Sequence, residues 1–167
     1  MDTGLLVARV IFGGLMAAHG AQKLFGWFGG DGLTAVGGFF ESLGFRPGRL
    51  FAAAASVSEV ASGVLVALGL LGPIGPALMV SVMIVAAVSV HWQHGVFAQS
   101  NGIEVPLLYA AFAVALALAG FGAYSLDAAL GLSPLWTPAI VYGALTLGVA
   151  GGLANLVVRR TAVTAEV

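Results

Sequence analysis

The sequence contains no cysteine among its 167 residues. This absence excludes disulfide bonds, thiolate-bound iron-sulfur clusters and covalently attached c-type haem within the chain. It also excludes a thiol relay, because that chemistry needs a cysteine sulfur at each step. Any redox centre would therefore be bound non-covalently or belong to a partner protein.

Charged residues are also scarce. They form 8% of the chain, with six Lys and Arg against seven Asp and Glu, whereas soluble domains contain about 25% charged residues. The longest basic run is the pair Arg159 and Arg160, which is too short for a nucleic-acid surface. Hydrophobic residues reach 60% and the mean hydropathy is +1.05, so too few polar residues remain to cover a water-facing surface. The composition excludes nucleic acid as a partner and indicates the lipid bilayer.

Five apolar runs fill most of the chain, and each is long enough to cross a membrane. About 20 residues, each adding about 1.5 Å of helix, span a hydrocarbon core of about 30 Å. The runs are Gly4–Gln22, Leu50–Leu71, Pro73–Trp92, Val105–Gly122 and Pro134–Val158. We predict an all-α membrane protein in which each run forms a transmembrane helix.

The basic residues predict an orientation. Lys23, Arg46 and Arg49 lie between the first two runs, and Arg159 and Arg160 follow the last. With five spans these segments share one side of the membrane, and Lys and Arg in short loops favour the cytoplasmic side. The count predicts an N-terminus outside and a cytoplasmic tail at residues 159–167.

The segment between the first two runs, residues 23–49, is too apolar for a solvated linker. Its apolar residues recur at near-helical spacing: Leu33, Val36, Phe39, Phe40 and Leu43. We predict an interfacial helix here, with aromatic side chains at the depth of the lipid headgroups.

Small residues recur every four positions in the fifth run, at Ala144, Gly148 and Gly152. This spacing lets helix backbones approach closely, either inside one bundle or between two chains. It predicts tight packing within the bundle and leaves a homodimer through the fifth helix as an alternative.

Polar groups lie at membrane depth on the first two predicted helices. They are Arg9, His19 and Lys23 on the first, and Ser56, Glu59 and Ser62 on the second. At 100° per residue the first three fall within an arc of about 80°. A lone charge at that depth costs about 2.5 to 3.5 kcal/mol, so Glu59 should be paired or neutralised. We expect the two polar faces to meet, with Arg9 from the outer side or His19 from the inner side approaching Glu59.

A third group of polar residues gathers at the predicted inner rim. His91 should lie at the depth of His19, and nearby stand Gln22, His94, Gln99, Asn101 and Glu104. Such groups bind protons, metals or a quinone head. A b-type haem between His19 and His91, or a metal ion held by these two histidines and Glu104, remains an alternative. We assign no metal site and no catalytic residue from the sequence.

Several local motifs are similar to those of the DoxX-like family of small bacterial membrane proteins. They are HGAQKLFGWFGG at 19–30, SEVASGVLVALGLLGP at 58–73, NGIE at 101–104 and GFGAYSLD at 120–127. The resemblance covers about residues 5–130 and implies a four-helix transmembrane bundle in residues 1–130. Residues 131–158 would then form an additional fifth transmembrane helix. The family pattern falls on Arg9, His19, Gln22, Lys23, Glu59, Asn101, Glu104 and Asp127.

The resemblance also implies a place in the bacterial plasma membrane and, in some members, a role as a subunit of quinone-linked oxidoreductases. Our leading hypothesis is a redox-associated membrane subunit that binds a quinone-like ligand and receives electrons from a soluble or membrane partner protein. The ligand-binding or proton-exchanging candidates are Arg9, His19, Gln22, Lys23, Glu59, His91, Asn101, Glu104 and Asp127. His19 or Lys23 would bind a quinone carbonyl, and Glu59 would exchange protons.

Two other classes compete with this hypothesis, and whether the chain is an enzyme is left open. In a non-catalytic scaffold, the polar residues would form a structural ion pair or hydrogen-bonded layer that fixes helix packing. In a small-solute or proton carrier, the same residues would line a path across the membrane.

Overall fold

A computed structural model describes residues 1–160, and in this range the helices are joined by turns and loops, with no strand. The helices are α1 (Asp2–Phe25), α2 (Gly32–Ser42), α3 (Gly48–Leu68), α4 (Ile74–Ala86), α5 (Glu104–Ala119), α6 (Leu126–Ala129) and α7 (Pro138–Val157). A π-helical turn at Ala87–His91 and a 3₁₀ turn at Trp92–His94 extend α4. The predicted all-α architecture is confirmed.

Four helices are long and apolar enough to cross a membrane: α1, α3, α4 with its extension to His94, and α7. The fifth apolar run, predicted at Pro134–Val158, is therefore a long helix, and it begins at Pro138 because Thr137 caps its first turn. The fourth run is shorter than predicted. It forms the 16-residue helix α5, which Gly120 ends with a φ of 78°.

The most extensive packing in the bundle joins α1 to α3. A Cβ atom added to Gly13 would lie 2.5 Å from the carbonyl oxygen of Gly63, and one added to Gly20 would lie 2.6 Å from that of Ser56. Both clashes are with backbone, which cannot move aside as a side chain can. The two antiparallel helices therefore touch backbone to backbone, as small residues permit in membranes.

The small-residue stripe of α7 is used inside the chain. Cβ atoms added to Gly148 and Gly152 would meet the backbone of α4 at Ala77 and Ser81. The predicted tight packing of this stripe is thus present between α7 and α4. A homodimer remains a prediction, and it would need a face other than this stripe.

The predicted helix between the first two spans is confirmed as α2, which packs against α3. Trp27, Phe28 and Phe39 on this segment are exposed, as expected for side chains that contact lipid headgroups. The end of α2 is tied to the end of α7. Arg159 donates from Nε to the carbonyl oxygen of Leu43 at 2.5 Å, and the backbone N–H of Arg160 donates to Gly44 at 2.9 Å. The rest of the predicted tail, residues 161–167, lies outside the described residues.

The bundle has two unlike ends. We call the end that holds α2, the C-terminus of α1 and the π turn of α4 the α2 end. The opposite end, which holds α6 and the N-terminus of α1, is the α6 end. Between them lies a core of apolar side chains from α1, α3, α4 and α5: Met16, Val66, Met79, Val80, Met83, Tyr109, Ala113 and Leu116.

The α1–α3 contact can be tested with two neighbouring glycines. Gly13→Ala should destabilise the protein by about 1 to 3 kcal/mol, because its methyl group would overlap the α3 backbone. Gly14→Ala should leave stability unchanged or slightly higher, since nothing lies within 4 Å of the added atom. Thermal unfolding in one detergent measures both, and equal midpoints for the two variants would contradict the backbone contact.

Candidate ligand-binding site

The predicted site residues divide between the two ends of the bundle. The structure places His19, Gln22, Lys23, Glu59, His91, Asn101 and Glu104 toward the α2 end. Arg9 and Asp127 lie at the α6 end. A single cluster of all nine residues is therefore not formed.

Glu59 and Lys23 form an ion pair between α3 and α1. The Glu59 side chain is 2% exposed and that of Lys23 is 33% exposed, so the carboxylate is buried while the ammonium lies nearer the surface. Lys23 donates to Oε1 of Glu59. The second carboxylate oxygen, Oε2, is buried and accepts no hydrogen bond from any residue in 1–160. The pair thus satisfies the charge of Glu59 but not all of its hydrogen-bonding capacity.

The π-helical turn of α4 brings two more polar side chains to this end. Ser89 is 6% exposed, and its hydroxyl has no hydrogen-bond partner within the described chain. Nδ1 of His91 lies 2.7 Å from the carbonyl oxygen of Asn101. Because a carbonyl only accepts, Nδ1 carries the proton, and Nε2 of the neutral ring is left as an acceptor. Widened turns of this kind are frequent at functional sites.

These side chains line a cavity of about 390 Å³ beneath α2, which we call the α2 chamber. Its polar side consists of Gln22, Lys23, Asp31, Glu59, Ser89 and His91. Its apolar side consists of Val36, Phe39, Phe40, Leu43, Phe45, Val82, Val85 and Val90. A cavity with a few polar groups on one side and aromatic and aliphatic walls on the other suits a ligand with a polar head and an apolar body.

A second, smaller cavity of about 110 Å³ adjoins the first. It is lined by His19 and Tyr109, while Lys23, Glu59 and His91 line both cavities. The rings of His19 and Tyr109 meet edge to face, with their centroids 6.4 Å apart. His19 and Glu59 therefore line the smaller cavity together, and the ion pair of Lys23 and Glu59 borders both spaces.

The other predicted residues at the α2 end support loops. Gln22 donates from Nε2 to the carbonyl oxygen of Phe28 at 3.2 Å. Asn101 adopts a left-handed conformation with φ 63° and supplies the carbonyl that orients His91. Oε2 of Glu104 accepts from the backbone N–H of Ala98 at 2.7 Å, which closes the loop before α5.

The expectation that Arg9 approaches Glu59 is wrong. Arg9 is fully buried at the α6 end, where its Nη2 donates to the carbonyl oxygen of Tyr124 at 2.7 Å. Its guanidinium packs on Gly69 and lies 5.7 Å from the centre of the Phe121 ring. Gly69 follows Glu59 by ten residues, which is about 15 Å of helix. Arg9 therefore lies beside the C-terminal end of α3, far along the helix axis from Glu59. Arg9 and Lys23 nevertheless project from similar directions on α1.

Asp127 forms a hydrogen-bonded clamp at the α6 end. Its Oδ1 accepts from the N–H of Leu71 at 2.9 Å, and its Oδ2 accepts from the N–H of Gly72 at 2.7 Å and from Nε1 of Trp136 at 2.8 Å. The side chain is 2% exposed. Both oxygens are thus engaged in joining the α3–α4 turn to the segment before α7, which is a structural arrangement.

Ser89 and Tyr109 are two hydroxyl-bearing site residues that sequence reasoning missed. Both lie in apolar runs, where the hydrophobic pattern does not show which way a single hydroxyl group points. The one available signal was the position of Ser89 two residues before His91, and a regular α-helix would place those side chains about 160° apart. Both side chains nevertheless line the α2 chamber, and a helical period alone does not predict that placement.

No group of three or more His, Asp and Glu side chains in residues 1–160 is arranged to hold a metal ion. His19 and His91 line the small cavity together, whereas the Glu104 carboxylate is bound to the backbone of Ala98. The chemistry that this end offers is hydrogen bonding and proton exchange by Lys23, Glu59 and the histidines.

The sequence pattern of the DoxX family matches residues 4–92, which is just over half of the chain. The protein therefore belongs to the DoxX family, as the resemblance of the motifs implied. No curated protein and no solved structure matches the chain. The matched range runs from α1 to the π turn of α4 and includes Lys23, Glu59, Ser89 and His91. The motifs at 101–104 and 120–127, and the helices α5 to α7, lie beyond it.

The clamp at Asp127 predicts a stability effect. Asp127→Asn should lower the free energy of unfolding by about 1 to 3 kcal/mol, because the amide nitrogen cannot accept from the N–H groups that a carboxylate oxygen satisfies. The control is Asp31→Asn, since Asp31 is exposed and its side chain caps no helix. Thermal unfolding in detergent compares them. If the clamp had no structural importance, both variants would have the same thermal unfolding midpoint as the wild type.

Proposed function

We propose that this DoxX family membrane protein is a redox-associated subunit that binds a quinone-like ligand in the α2 chamber. One observation carries the proposal: a buried carboxylate, paired with Lys23 and incompletely hydrogen-bonded, lines a chamber whose other side is aromatic and aliphatic. Intramembrane ionisable groups usually mark ligand or proton sites. The volume of about 390 Å³ is within the range of small-molecule pockets.

The polar side of the chamber suits the chemistry of a quinone head. Reduction of a quinone to a quinol takes up two electrons and two protons. Lys23 has two N–H groups beyond the one bonded to Glu59, and either can donate to a ligand oxygen. Glu59 would exchange a proton with that ligand, and His19 and His91 stand beside it on the two cavities. The electrons would come from a partner protein, because the chain has no cysteine to hold an iron-sulfur cluster or a c-type haem.

The apolar side of the chamber suits the ring and tail. Phe39 and Phe40 come from α2, and Val82 and Val85 come from α4. Phe39 is 47% exposed, so the chamber wall is continuous with the surface that α2 presents to the interface. A lipid-soluble ligand would reach the chamber along this aromatic surface.

The second candidate function is a non-catalytic membrane scaffold. The position of the ion pair is the observation that supports it. Lys23 and Glu59 join the same two helices that Gly13 and Gly63 bring into contact. In that case the pair would fix helix packing, and the α2 end would serve to recruit a partner protein. The two candidates predict different consequences of removing the charge of Glu59.

The decisive experiment compares Glu59→Gln with Glu41→Gln, a matched control on α2 outside the chamber. Each protein is purified in mild detergent, and co-extracted small molecules are identified by mass spectrometry and absorbance. We expect a quinone with the wild type and the control and none with Glu59→Gln, at similar thermal stability. A scaffold predicts bulk lipid alone in all three preparations and a lower unfolding midpoint for Glu59→Gln.

We also propose that the protein lies in the bacterial plasma membrane with its α2 end facing the cytoplasm. Arg159 is bonded to Leu43, so the basic pair after α7 stands at the same end as Arg46 and Arg49. Basic residues gathered at one end are typical of the cytoplasmic side. This orientation places the N-terminus outside.

Because the chain has no cysteine, a single introduced cysteine can be labelled to test the orientation. Ser133→Cys and Ser42→Cys each introduce one exposed thiol, at the α6 end and the α2 end respectively. A membrane-impermeant maleimide should label Ser133→Cys in intact cells and Ser42→Cys only after permeabilisation. Labelling in the reverse order would show that the α2 end faces outward.

A further inference from the structure

The α2 chamber contains buried polar atoms that still lack hydrogen-bond partners. Within the described residues the atoms in this state are Oε2 of Glu59, Oγ of Ser89, and Nε and Nη1 of Arg9 at the α6 end. The Glu59 and Ser89 side chains both line the chamber. Buried polar atoms without a hydrogen-bond partner are rare, because each has lost its hydrogen bonds to water and gained none in the folded protein. Two of them on one cavity indicate that an occupant supplies the missing hydrogen bonds.

The charge state of Glu59 decides what kind of hydrogen bond is missing. The contact with Lys23 favours the ionised carboxylate, and a carboxylate can only accept. An occupant must therefore donate to Oε2. His91 has the same requirement, because its Nδ1 already donates to Asn101 and its other ring nitrogen accepts when neutral.

The hydroxyl of Ser89 can form a second hydrogen bond to the same ligand group. A serine hydroxyl both donates and accepts, as does a ligand hydroxyl. A ligand O–H can thus donate to the carboxylate while its oxygen accepts from Ser89 or Lys23. A ligand carbonyl has only lone pairs, and beside Oε2 of Glu59 these would face a negative charge.

We infer that the α2 chamber selects the hydroxyl-bearing, reduced form of its aromatic ligand over the carbonyl-bearing, oxidised form. The inference rests on the proposed function and adds which redox form of the ligand the site prefers. The site would hold the product of quinone reduction, or the substrate of quinol oxidation, more tightly than its oxidised counterpart. The selecting group is the carboxylate of Glu59.

Binding of one matched ligand pair tests the inference. Tetramethyl-1,4-hydroquinone and tetramethyl-1,4-benzoquinone share a ring and differ in the hydroxyl hydrogens. Calorimetric titration of the detergent-solubilised protein without oxygen should give a Kd about tenfold lower for the hydroquinone, as expected for one hydrogen bond to a charged acceptor. In a redox titration this ratio raises the midpoint potential of the bound pair by about 30 mV. The dimethyl ether of the hydroquinone, which has no donor, should bind as weakly as the quinone.

Variants assign the preference to Glu59. Glu59→Gln places an amide at the same position, and that amide donates as well as accepts. Binding of both forms should weaken too far for co-purification, but titration at higher ligand concentrations should give a ratio of the two Kd values of about one. Glu41→Gln should keep the wild-type ratio. Should Glu59→Gln unfold, the double variant Lys23→Met with Glu59→Gln removes both charges together, which proteins tolerate better than the loss of one partner.

The outcomes separate this inference from the proposed function. Equal affinity for the two forms, or tighter binding of the quinone, would overturn the selection of the hydroxyl form and leave the quinone-like site intact. A preference that persists in a folded Glu59→Gln would overturn the role of the carboxylate. Failure of the wild type to bind either form would overturn both the site and its selectivity.

Discussion

The close contact between α1 and α3 is the constraint on which the other features of the bundle depend. Glycines at 13, 20 and 63 remove the side chains that would hold the two backbones apart. With the helices this close, the ammonium of Lys23 reaches the carboxylate of Glu59, and the guanidinium of Arg9 fits over Gly69. A wider separation would leave Lys23 and Glu59 without each other as partners, and an unpaired charge in the membrane is unfavourable by several kcal/mol.

The two buried carboxylates in residues 1–160, Asp127 and Glu59, have different surroundings, and these indicate different roles. Asp127 has three donors around it, two from backbone and one from Trp136, and it joins three segments of the chain at the α6 end. Glu59 has a single donor and a cavity on either side. A saturated carboxylate stabilises the fold, whereas an incompletely bonded one beside a cavity can exchange a proton or bind a ligand.

Helix α7, one of the helices beyond the family match, contributes to the α2 end as well as to the bundle. α7 packs its small residues on α4, and its terminal Arg159 holds the carbonyl oxygen of Leu43 at the end of α2. Cations commonly bind the last carbonyl groups of a helix in this way. Leu43 is also a wall residue of the α2 chamber. The added helix therefore helps to position the wall under which the proposed ligand would lie.

The sequence by itself determined the helical membrane class, the five apolar helices, α2 and the position of Glu59 within the second apolar run. Each of these depends on local composition, chain length and the period of the helix, which are written along the chain. Tertiary structure alone decided that Lys23 rather than Arg9 pairs with Glu59, that Asp127 forms a clamp, and that Ser89 faces the α2 chamber. A helical period gives the direction of a side chain but neither the axial register of two packed helices nor the place of a π turn. These depend on contacts between residues far apart in the chain.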